Sequence, residues 1–435
     1  MGKRDVSDSQ AERSNAVERQ YVITERAHLM CPNMHFALLI KIDAAYERAK
    51  VKDTMDLLSQ AHPFLRSVIG WEDEGRRPFY QVGADSHISM IEREDARTLW
   101  QDYKTIGETP WNVFEEGLLK VFPYPGETGF QVLFAVHHLL ADGRRLLELC
   151  SEFAELYVKG GKADFAEERL IASLSDLPPG SSLSAANRLL LTWLNRQWEK
   201  EKQQVTNALY MVFAERFSKE NPVEYACCSI DQKLVTAMSR FCREQQISVN
   251  DLLLSRLFLA TKAPKIIMAV DIQNQLSCYQ RAALGNYASA MSIRRNSSAE
   301  SPLLLAKRIH RQVTEHLADK KKSMLILSCY LQLAGTLIDA AAISSLGDFD
   351  SKAARFVGNN ILGYGRGEGI SITNLGSINH QYIREAVFIP PASPATKATF
   401  GVVTVNGKMQ LCCSYYKKSV QAEDICRQME QLARI

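Results

Sequence analysis

The chain has 435 residues, 46% apolar and 23% charged, which is too long for one hydrophobic core and fits two or three cores of an ordinary globular protein. Its 52 basic and 49 acidic residues leave a formal net charge of +3, too small a field to gather nucleic acid. No apolar run is long enough to span a membrane, the first 20 residues are too polar for a secretory signal, and Val6 stands where myristoylation needs a hydroxyl residue. A cytoplasmic location is expected. The ten cysteines form no Cys-x-x-Cys pattern and read as reduced thiols, not a disulfide frame or a zinc site.

In chain order, 1–20 reads as a polar tail and 34–43 as a buried strand followed by a helix over 46–61. The stretch 130–136 is a second near-continuous apolar run, as in a strand covered on both faces, and helical spacing over 146–158 follows it. The Ser-, Pro- and Gly-containing segment 173–184 is the clearest linker and divides an N-terminal lobe, 21–180, from a C-terminal lobe, 181–435. A long helix is predicted over 185–215, with Trp193 and Trp198 as core residues. Ser248, with Asp251 three residues on, is a capping pattern before Leu252. Strands are predicted at 265–271, 369–373, 398–405 and 409–416, the last two joined by an Asn406-Gly407 hairpin turn. Alternating strands and helices make the class α/β.

The segment that carries chemistry is His137-His138-Leu139-Leu140-Ala141-Asp142-Gly143. A histidine at the end of a buried strand combines a rigid backbone with a side chain that reaches a cleft. Its near-neutral pKa lets it take a proton and return it. Asp142 would hold the loop or orient a ring, and Gly143 would allow a sharp turn and close backbone approach. Taken alone, the segment favours two core histidines before an ordinary Asp-Gly turn. Metal binding is disfavoured, because adjacent residues on a strand point to opposite faces. Gly363 to Gly369 lacks the spacing and the Lys-Ser/Thr ending of a phosphate loop, and no Gly-x-Ser-x-Gly occurs.

Val136-His137-His138-Leu139-Leu140-Ala141-Asp142-Gly143 resembles the His-His-x-x-x-Asp-Gly signature of the chloramphenicol-acetyltransferase-like superfamily, which includes condensation domains and alcohol acyltransferases. Four further segments fall in that family's order: the run from Ala61 to Ser67, the helix start 247–254, Gly285-Asn286-Tyr287 through Arg294, and Ile372-Thr373-Asn374-Leu375-Gly376. The resemblance implies two α/β sandwich lobes in a V with a tunnel between them. It implies that His138 is the general base of an acyl transfer, that Asp142 is structural and orienting, and that His137 and Arg66 support them, Arg66 as the salt-bridge partner of Asp142. Arg294 is expected to be buried or structural. Oxyanion or tunnel roles would fall to Ser371, Thr373 or Asn374. No tightly bound cofactor or metal is expected. The donor would be a coenzyme A or phosphopantetheine thioester, the latter on an acyl carrier protein, and the acceptor a small alcohol or amine.

The sequence also departs from its relatives. Arg144 and Arg145 open the helix after the motif, against its dipole, and are expected to pair with Glu148. The plant Asp-Phe-Gly-Trp-Gly segment and several condensation-domain segments are absent, and no attached adenylation or carrier domain is expected. A free-standing acyltransferase using a small soluble thioester is the expected function. The alternatives are amide formation in nonribosomal peptide assembly and a non-catalytic carrier-recruiting module.

Overall fold

The computed structural model describes residues 19–85, 87–295, 301–365, 367 and 369–434, so the predicted tail lies outside the described residues except for its last two positions. The strands are β1 (His35–Ile42), β2 (Ser67–Glu72), β3 (Arg77–Val82), β4 (Ser89–Met90), β5 (Leu119–Gly126), β6 (Gly129–His137), β7 (Val223–Ile230), β8 (Lys265–Asp271), β9 (Ala288–Arg294), β10 (Gly369–Ile378), β11 (Ile383–Ile389), β12 (Thr396–Val405) and β13 (Lys408–Tyr416). They form a five-stranded sheet, β11-β1-β6-β5-β4, a six-stranded sheet, β7-β13-β12-β10-β8-β9, and the hairpin β2-β3. The architecture is α/β, with two lobes of sheet plus helices.

β1 and β6 are apolar on both faces because both faces are covered. Leu38, Ile40, Val132, Leu133 and Phe134 are fully buried. The two strands run antiparallel with His35 opposite His137. The helix Gly143–Lys159 returns onto this sheet through Leu146, Cys150 and Phe153, with Phe153 edge-on to Phe134.

In the second sheet β10 is parallel to β8 and β12. One face is covered by the helices Gln232–Glu244, Val249–Thr261, Pro302–Ala318 and Ala422–Ala433. The capping box of the helix Val249–Thr261 forms as expected: the Asp251 amide donates to Ser248 Oγ at 3.0 Å, and the Ser248 amide donates to Asp251 Oδ2 at 2.8 Å. Asn406 (φ 51°) and Gly407 (φ 79°) form the predicted two-residue hairpin turn, whose twist matches that of the strands it joins.

Several expectations change. The boundary at 180/181 does not separate the two cores. β11 joins the first sheet beside β1, with Leu38 opposite Phe388, and the helices Ala185–Glu201, Asn207–Glu220 and Gly335–Leu346 add Leu194, Phe213 and Leu337 to the first core. The predicted long helix breaks at Lys202, which is left-handed (φ 48°), and restarts at Asn207, capped by Thr206. Trp198 is buried, but Trp193 is exposed, as is Arg294. Cys227 and Cys412 oppose each other across β7 and β13 with sulfurs 2.7 Å apart, a proximity that sequence spacing does not reveal. Of the glycine-rich segment 363–369, positions 366 and 368 lie outside the described residues.

Candidate active site

β6 ends at His137, and the chain leaves the sheet through His138. The His138 amide donates to the Met34 carbonyl at 2.8 Å, and its carbonyl accepts from Asn286 Nδ2 at 2.6 Å. The first lobe and the loop before β9 therefore hold the same residue. His137 is buried against Trp111 and accepts from the Leu139 amide through Nδ1 at 3.3 Å. It lines a narrow crevice together with its strand partner His35 and with Cys31. Burial drives its pKa down to about 3, helped by the neighbouring His35.

His138 is half-buried, with Phe36 edge-on at 4.9 Å. Its Nδ1 is sealed from solvent without a hydrogen-bond partner. Burial lowers its pKa below the ordinary 6.5, while the His138 and Ala141 carbonyls, the Asp142 carboxylate and the Asn286 side chain pull it back up. The ring is thus neutral at neutral pH and able to accept a proton.

Asp142 ties the two lobes together. Its Oδ1 caps the helix Gly143–Lys159, accepting from the Arg144 and Arg145 amides at 2.9 and 3.0 Å. Its Oδ2 accepts from the Tyr287 amide at 2.9 Å, and its own amide donates to the Gly285 carbonyl at 3.0 Å. Burial pushes the carboxyl pKa up, and the amide bonds and the charge of Arg145 pull it down.

Arg66 is not the partner of Asp142. Its Nη1 donates to the carbonyls of Gly83 and Ala84, at 3.2 and 3.4 Å. The guanidinium that acts on Asp142 is that of Arg145, which is 1% exposed, donates to Tyr279 Oη at 2.8 Å and pairs with Glu148. Arg144 approaches Glu148 only to 3.8 Å and spends Nη1 on the Leu375 carbonyl at 3.0 Å.

Gly143 has no left-handed backbone. Its contribution is space: a Cβ there would lie 2.7 Å from Leu375 Cδ2 and 3.2 Å from Phe388 Cζ. Gly143→Ala is therefore expected to destabilise the fold by about 1–3 kcal/mol through overpacking. Equilibrium denaturation measures this, and an unchanged midpoint would contradict the close approach.

The oxyanion candidates lie on β10, which reaches the motif through Leu375. The Ser371 hydroxyl donates to Thr399 Oγ1 at 2.9 Å and so serves the sheet. Asn374 Oδ1 accepts from the Gly376 amide at 2.9 Å, holding a turn. Thr373 is half-buried on the same strand. Sequence reasoning missed the roles of Asn286 and Arg145, and also missed His28, whose ring lies on His138 at 4.3 Å. Asn286 sat in a family-like segment with no role given. His28 carries no local signal. Among the described residues no group of three His, Cys, Asp or Glu side chains could hold a metal ion.

No family model matches the chain, and no curated protein does. Solved structures do. The epimerization domain of the third module of tyrocidine synthetase B superposes with a TM-score of 0.59 at 13% identity, over 96% of this chain and 95% of that one. Polyketide synthase associated protein 5 from Mycobacterium tuberculosis gives 0.60 at 14%, over 96% and 97%. The first condensation domain of the CDA synthetase gives 0.61 at 13%, over 96% and 95%. The chain has the fold of these condensation domains. The motif loop sits where the two lobes meet. The structures that superpose include an epimerization and a cyclization domain as well as condensation domains, so the reaction must be argued from the site.

Proposed function

We propose that the protein transfers an acyl group from a thioester to a hydroxyl or amine, with His138 as general base. The observation that carries this reading is the neutral, half-buried imidazole of His138 at the lobe junction, on a loop fixed to both lobes by Asp142 and Asn286. His138 takes the proton of the acceptor as its oxygen or nitrogen attacks the thioester carbonyl. The new C–O or C–N bond forms, the C–S bond breaks, and the imidazolium returns its proton to the departing thiolate. The developing oxyanion needs a fixed donor. Thr373 is the β10 candidate whose hydroxyl is not assigned to a sheet or turn contact.

The donor is read as a pantetheine thioester, either coenzyme A or a carrier protein. The assembly-line origin of the structural matches favours a carrier-tethered one. Mass spectrometry of products from a panel of acyl-thioesters with candidate alcohols and amines tests the reaction. No acyl product across the panel, on either donor, would reject it. A preference of about a hundredfold for the carrier-borne acyl group, roughly 3 kcal/mol of transition-state binding, would place the protein in peptide or polyketide assembly.

The pH profile follows from the site. The reaction needs neutral His138, and burial lowers its pKa, so kcat/KM should be flat through neutrality and fall only on the acid side, with a midpoint below 6.5. An acid limb centred above the ordinary imidazole value would contradict the assignment.

A further inference from the structure

In many acyl-transfer sites a carboxylate orients the basic imidazole through its second nitrogen. That arrangement is missing here. Both oxygens of Asp142 are committed to backbone amides, of Arg144, Arg145 and Tyr287, and Nδ1 of His138 is buried without a partner. The polar groups nearest the ring, the His138 and Ala141 carbonyls and the Asn286 side chain, form no well-aligned hydrogen bond with that nitrogen, so contacts on its faces and edges help to set the plane of the imidazole. Phe36 touches it edge-on at 66°. The other ring contact is His28, parallel to His138 within 14° at 4.3 Å between centroids.

His28 is itself firmly placed. It lies in the one-turn helix Arg26–Leu29, and its amide donates to the Glu25 carbonyl at 2.8 Å. Two residues before it, Arg26 makes a two-point pair with Asp339, at 2.8 and 2.6 Å, and both side chains are buried. Arg26 also donates to the Arg76 carbonyl at 2.7 Å. The turn is thus clamped between the β2-β3 hairpin region and the helix Gly335–Leu346.

We propose that His28 is a positioning residue for His138, holding the plane of the base by face-to-face stacking in place of a carboxylate. This rests on the acyl-transfer reading above. The titratable groups facing the pair are His137 on β6 and Asp142 at the helix start. Burial, with His138 and His137 as neighbours, holds His28 well below the ordinary imidazole range. It is therefore a neutral ring that does not repel the imidazolium formed beside it. The pair carries at most one positive charge, on His138, during turnover.

Two variants test this, each with a readout that needs no substrate. In His28→Ala, water reaches the face of His138. Its ring titration, followed by NMR of histidine-labelled protein, should move up toward the ordinary value. Turnover should fall by about tenfold or more, with KM changed less than about twofold. In His28→Phe the stacking face is kept, so the His138 titration should stay depressed and most of the rate should return. An unmoved titration in His28→Ala would overturn the proposal. So would a His28→Phe as slow as His28→Ala, which would make His28 a proton carrier instead. The titration separates failure of the stacking argument from failure of the acyl-transfer reading, which the product panel and the His138 variant decide.

Discussion

His138→Ala is expected to lower turnover by about 10² to 10⁴ while the protein stays folded. The size follows from losing proton transfer in the transition state while binding and orientation survive. The fold should survive because the contacts of His138 with Met34 and Asn286 run through its backbone, which alanine keeps. What the side chain loses is its packing on His28 and Phe36. His137→Ala should cost less activity and more stability, since His137 is buried against Trp111 with Nδ1 on the Leu139 amide. Turnover on an identified acyl-thioester, read beside circular dichroism and thermal melting, checks both. Full activity in a folded His138→Ala protein would sink the general-base reading.

Asp142→Ala should give the largest loss of stability. It strips the acceptor from three backbone amides, those of Arg144, Arg145 and Tyr287, and removes a charge facing the buried Arg145. Buried donors left without an acceptor cost about 1–3 kcal/mol each, which places the loss at about 3–5 kcal/mol, a large share of the roughly 5–15 kcal/mol that holds a domain together. Activity should fall as well, because the same bonds fix the loop that carries His138. In a double-mutant cycle Asp142 should couple to Arg145 by about 0.5–3 kcal/mol. Asp142 with Arg66 should be additive, since Arg66 is bonded to Gly83 and Ala84. Coupling to Arg66 and none to Arg145 would mean that the network is wrongly assigned.

Arg66 and Arg145 show how far a motif reaches. A family pattern offered Arg66 as the partner, and helix spacing paired Arg145 with Glu148. The second holds at i+3, because a helix fixes which residues are neighbours. The first fails, because a partner 76 positions away is fixed by packing and not by period. Gly143 was expected to supply backbone freedom. It supplies room beneath Leu375 and Phe388, residues more than two hundred positions later in the chain.

What the sequence determined by itself is what short-range physics encodes. Continuous apolar runs mark β1 and β6 as covered on both faces. Ser248 and Asp251 start a helix, and Asn406-Gly407 turns a hairpin because both residues tolerate positive φ. The histidine at the end of β6 is legible for the same reason, since a strand followed by a capped helix places it. Only the tertiary structure decided that β11 completes the first sheet, that Asp142 spans to Tyr287, and that His28 lies on His138. Each of these joins residues more than a hundred positions apart. The free energy that selects them is burial and hydrogen-bond satisfaction summed over the whole packed core, and no local periodicity along the chain records it.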